Sequence, residues 1–267
     1  MTFTCSTACF RQVSIDVALE EIRRVGFDAI DLNLIPGFCD HFDAARQLAV
    51  ERQDFVTLVR DSGLRVPTVT AALGNFDSSA GAGGFIFQSA LAHLKLAAQL
   101  ASDGLNVICG QAAVRGGEST TRALVQAKGL KEIAKEAAQL GLNLNVGPLH
   151  SGDSCRSLEE ARFLVEQIGE GNVFVFLDVS QYQAAGVRPE EAVRRLAGRI
   201  GHVRLPDSIG PGLHAFLEEL ERVSYDGYCA LETDAGEDIA GARQRLRELL
   251  DRLASRRPVL GPAKTPA

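Results

Sequence analysis

Short apolar runs recur along the chain, and between them apolar residues return at helical spacing. Phe3–Ser6, Phe27–Leu34, Leu64–Ala71, Leu105–Cys109 and Leu142–Val146 read as the first five strands. The sixth, Val173–Leu177, is oily on both faces, as a fully buried parallel strand is, and ends on Asp178. His202–Leu205 and Tyr228–Thr233 follow as the seventh and eighth.

Each run is followed by a helical stretch. Ser14 opens the first, with Ile15, Ala18, Leu19, Ile22 and Val25 on one face and Gly26 as its stop. Asp43–Asp61 and Phe85–Ser102 are the second and third. The fourth carries Leu130, Ile133, Ala137 and Leu140 up to Gly141, and the fifth carries Leu158, Ala161, Val165 and Ile168. Pro189 starts the sixth, where its missing N–H costs nothing, and Leu213–Val223 and Ile239–Leu253 complete the set. Pro67 sits oddly for an interior strand, but the regular spacing outweighs it. Eight strand–helix units in sequence predict an α/β fold, a single-domain (β/α)8 TIM barrel over residues 1–254. Residues 255–267 (SRRPVLGPAKTPA) read as a disordered tail. A doubly wound sheet is the alternative arrangement.

Composition adds mainly exclusions. A net charge of −6 argues against a nucleic-acid or anionic-membrane partner. The chain has no membrane-length apolar run and no signal-peptide start, so a cytoplasmic location is expected. The 6 cysteines form no metal-binding spacing and read as reduced and structural. Cys5, at the end of the first strand, is kept as a candidate substrate contact. The GAGG at Gly81–Gly84 lacks the dinucleotide pattern and fits a mobile loop over the mouth better. Arg115-Gly116-Gly117 is a weak anion candidate.

Several segments together carry a resemblance: GFDAIDLNL, SGLRVPTVTA, LGLNLNVGPLH, FLDVSQY, IGHVRLPDS and YDGYCALET. In order and spacing they resemble the xylose isomerase-like barrel superfamily. That group includes sugar-phosphate isomerases and epimerases, tagatose epimerases, hydroxypyruvate isomerases, inosose dehydratases and endonuclease IV. The resemblance implies a divalent ion, usually Mn²⁺ or Mg²⁺, held by a Glu, an Asp, a His and a Glu at the ends of strands five to eight. It also implies that the two glutamates move a proton. Here those positions are Gly147, Asp178, Arg204 and Glu232. Gln181 stands where the family often has a substrate-binding His.

Glycine offers no ligand, and a guanidinium only donates. No metal and no other cofactor are therefore expected. Arg204, a cation on a fixed side chain, would balance the two acids in place of a mobile ion. Acid/base chemistry then falls to Glu232, Asp178, Arg204 and His150, with Asp31, Asn33, Asn145, Gln181, Asp207 and Cys5 as candidate substrate contacts. His202 reads as a core histidine.

The expected function is isomerase-, epimerase- or lyase-like chemistry on a small hydroxy-carbonyl compound, a sugar or keto acid. The expected partner is that small molecule, with a homodimer or homotetramer by analogy with relatives. A non-catalytic barrel binding a ligand or partner subunit stays open, as does a purely structural salt-bridge cluster. The superfamily's DNA-repair endonuclease activity would need a richer metal cluster and a basic groove, and the sequence has neither.

Overall fold

The computed structural model describes residues 1–74, 76, 82–109, 118–148, 158–234 and 238–255, with backbone alone for 82, 118–122, 148 and 211. Strands β1 (Thr2–Ser6), β2 (Ala29–Leu34), β3 (Arg65–Gly74) and β4 (Gly104–Cys109) form the first half. Strands β5 (Asn143–Pro148), β6 (Val173–Asp178), β7 (Ile200–Pro206) and β8 (Tyr228–Glu232) form the second. They pair in sequence order, all parallel, and β8 closes on β1. The doubly wound alternative is thereby excluded.

Helices α1 (Ile15–Val25), α2 (Ala49–Asp61), α3 (Ala82–Gln99), α4 (Glu118–Gln139) and α5 (Leu158–Ile168) follow the first five strands. Two helices, α6 (Val179–Ala184) and α7 (Pro189–Arg195), fill the sixth connection. Helix α8 (Leu213–Arg222) comes after β7 and α9 (Ile239–Ala254) after β8. One hydrophobic layer lies between barrel and helices. In α1, Ala18, Leu19 and Ile22 are buried in it, each large aliphatic contributing roughly 1.5–3 kcal/mol. Gly26 ends α1 at φ 114°, where its N–H reaches the carbonyls of Ile22 and Arg23.

Several expected boundaries are corrected. Pro67 lies within β3 because the β2–β3 register shifts there, from Ala29↔Arg65 to Asp31↔Thr68. The irregularity spares the ladder a donor that proline lacks. Residues 43–48 do not join α2. Asp43 Oδ1 accepts from the N–H groups of Ala45 and Arg46 at 3.1 and 3.2 Å, a local turn that competes with helix. The expected sixth helix is preceded by another because Asp178 caps α6. Leu140 falls past the end of α4 and is exposed.

Of the tail expected at 255–267, Ser255 caps α9 and residues 256–267 lie outside the described residues, as do the Arg115-Gly116-Gly117 segment, His150 and most of the glycine-rich loop. Among the described residues no helix is long and apolar enough to cross a membrane.

Candidate active site

The pleat decides what enters the barrel. On β2, Asp31 and Asn33 point inward, on β3 Thr68 and Thr70, on β4 Asn106 and on β5 Asn145, linked side chain to side chain. Asp31 is the hub. Its Oδ1 accepts from the hydroxyls of Thr68 and Thr70, both at 2.8 Å, and from Asn106 Nδ2 at 3.2 Å. Its Oδ2 accepts from Asn33 Nδ2 at 3.0 Å. A carboxylate only accepts when ionised, so it fixes which way the amides face. Asn106 turns its NH₂ to Asp31 and its oxygen to Asn145 Nδ2, 2.8 Å away. Asn33 turns its oxygen toward Arg204, whose Nη2 donates at 3.0 Å.

Arg204 sits above this hub, 2% exposed, among three acids rather than the two counted from the sequence. Nη1 donates to Asp178 Oδ2 at 3.4 Å. Nη2 is 4.0 Å from Asp31 Oδ2. Nε is 3.2 Å from Glu232 Oε2, but its N–H is not aligned with that oxygen, so the contact is an ion pair and not a hydrogen bond. Burial works against the charged guanidinium, yet Glu232, Asp178 and Asp31 together outweigh it and raise its pKa above the ordinary value.

Asp178 is fully engaged. Its Oδ1 accepts from the N–H groups of Ser180 and Gln181 and from the Ser180 hydroxyl at 2.6 Å, capping α6, while Oδ2 faces Arg204. Glu232 differs. Its Oε2 accepts from Ser6 Oγ at 2.7 Å, and its side chain is 17% exposed. With Arg204, Asp207 and Thr233 it lines a cleft of about 230 Å³ at the carboxyl ends of the strands. Thr233 Oγ1 donates to Asp207 at 2.5 Å.

His202 is buried beneath this layer, with Nε2 3.9 Å from Asp31 Oδ2 and neither ring nitrogen hydrogen-bonded. Burial lowers its pKa to about 4 despite Asp31. A depressed histidine pKa means the folded state binds fewer protons than the unfolded one between the two values. Stability is therefore complete above about pH 6.5 and falls as pH drops toward 4. Its share is on the order of 3 kcal/mol. Urea unfolding across this range should show the decline, and His202→Gln should flatten that part of it.

The expected site residues thus separate. Glu232, Arg204, Asp178 and Asp207 meet at or just beneath the mouth, and Asn33 and Asp31 support them from below. Gln181 is half-buried in the first turn of α6. Asn145 lies beyond Asn106, toward the amino-terminal end, where it lines a different cleft with Gly104 and Tyr228. Cys5 faces the hydrophobic layer, paired in register with Ile30 and Leu231, and Ser6 takes the inward place. Ser6 was missed, although alternation from Cys5 would have found it.

Phe176 was also missed. On β6 it is level with Gly147, its ring centroid lies 4.8 Å from Arg204 Cζ, and a Cβ built on Gly147 would come within 2.6 Å of the ring. This arrangement does not fit a divalent ion. The strand-five position cannot take a side chain without displacing the ring, and the cation position is a guanidinium. Among the described residues no group of three His, Cys, Asp or Glu is placed to hold a metal.

The structure resembles several solved structures at low identity. It matches a D-allulose 3-epimerase from Methylomonas sp. in complex with D-allulose at TM-score 0.78 and 14% identity, covering 94% of this chain and 96% of that one. A 3-keto-D-glucoside 4-epimerase from E. coli matches at TM-score 0.75 and 18% identity, over 96% and 99% of the two chains. The IolI protein with a bound zinc atom matches at 0.77 and 15%, over 96% and 98%. At such identities the likeness speaks for the fold. No curated protein matches the sequence. The profile of the xylose isomerase-like TIM barrel family matches residues 19–256. The chain is therefore a member of the xylose isomerase-like TIM barrel family.

Proposed function

We propose that the protein is an isomerase-, epimerase- or lyase-like enzyme that removes a proton next to the carbonyl of a small sugar or keto acid without a divalent metal. The observation that carries this reading is the position of Glu232. It is a carboxylate open to the cleft, held on one oxygen by Ser6 and flanked by a buried guanidinium. Glu232 takes the proton, the C–H electron pair moves toward the carbonyl, and the oxygen becomes an oxyanion. Arg204, whose Nε–H has no aligned acceptor, stabilises that charge. Asp178 and Asn33 hold Arg204 in place. Protonation of the same carbon from the other face by solvent gives the epimer, and Glu232 is reset by losing its proton to water. Return of the proton to the former carbonyl carbon, with the adjacent hydroxyl proton passing to the oxyanion, gives the isomer. Expulsion of a β-hydroxyl gives elimination.

The test is deuterium wash-in from D₂O across a panel of hydroxy-carbonyl sugars and keto acids, followed by NMR. Glu232→Gln should slow exchange by at least about a hundredfold, with little change in the unfolding midpoint. Dialysis against EDTA should leave the rate unchanged. A second reading, a non-catalytic barrel, is favoured by how completely Asp178 is engaged. Ligands that raise the melting temperature while no substrate exchanges would select it.

A further inference from the structure

Gly147, Phe176 and Arg204 stand on three consecutive strands, and together they solve one packing problem. Asn145↔Phe174 pairing puts Gly147 level with Phe176, and Asp178↔Arg204 pairing puts the guanidinium one pleat above the ring. The ring reaches into the space a side chain at 147 would need, with Cδ1, Cβ and Cγ 2.6, 3.0 and 3.0 Å from a built Cβ. It also presents its π-system to Arg204 at 4.8 Å, where a buried cation gains most from a ring.

We infer that Phe176 is the residue that commits this site to a fixed guanidinium. It excludes a strand-five carboxylate and stabilises the arginine, so restoring the acid and the histidine alone cannot restore a metal site. The inference rests on the metal-free reading of the site. Phe176 is backed by His202, ring centroids 5.3 Å apart, and is fully buried. It therefore has no easy place to move.

The test is Mn²⁺ binding to purified full-length protein by calorimetry and electron paramagnetic resonance. Wild type, the double variant Gly147→Glu/Arg204→His and the triple variant adding Phe176→Ala are compared. The triple variant is expected to bind one ion at least about a hundredfold more tightly than the double, since the double cannot place its new carboxylate. Equal affinity in the two would overturn the role of Phe176 while leaving the metal-free reading intact. Stoichiometric binding by wild type would overturn that reading itself.

A second measurement does not depend on the triple variant folding. Gly147→Ala should lower the urea midpoint in wild type and have at most a small effect in a Phe176→Leu background. Equal effects in both backgrounds would overturn the inference.

Discussion

Replacing Arg204 by methionine is expected to cost about 3–5 kcal/mol of folding stability, because it removes one partner from a buried charge cluster. The size follows from the company the guanidinium keeps. Asp31, Asp178 and Glu232 lie 4.0, 3.4 and 3.2 Å from its nitrogens, and methionine offers none of them a charge or a donor. Volume is nearly conserved, so the loss reports electrostatics more than packing. Urea denaturation at neutral pH measures it. A change below about 1 kcal/mol would mean that the acids are partnered well enough without the arginine.

Asp31→Ala is the second large effect, expected to cost about 4 kcal/mol. Two of the four donors on Asp31 are hydroxyls that can turn elsewhere. The other two, Asn33 Nδ2 and Asn106 Nδ2, belong to amides held in place by other bonds. Each donor left bare in a dry interior costs roughly 1–3 kcal/mol. Asp31→Asn keeps an acceptor on one side and should cost less. Comparing the two variants by urea unfolding separates the charge of Asp31 from its hydrogen bonding.

The barrel was legible in the sequence because buried parallel strands and amphipathic helices leave different periodicities. Residues such as Gly26 and Pro189 mark where one gives way to the other. Boundaries failed where a side chain captured the backbone locally, as Asp43 does ahead of α2 and Asp178 does at α6. Within the site, Asp178 was legible as an acid ending an apolar run, and Arg204 and Glu232 through the family resemblance of the segments around them. Asp31 looked like one lining residue among several, because its donors come from β2, β3 and β4 and only the closed register brings them together. Phe176 gave no signal at all. A phenylalanine in an apolar strand reads as core, and its meaning depends on what the next strand lacks at Gly147.

The two oxygens of Asp178 do different jobs: one ties down the start of a helix, the other the guanidinium. Swinging that helix away from the mouth would break the cap and strip the arginine of a counter-charge in the same movement. That side of the entrance therefore behaves as a riveted jamb. Arg11 and the well-exposed Asp234, which line the same cleft, meet in a contact that solvent can replace far more easily.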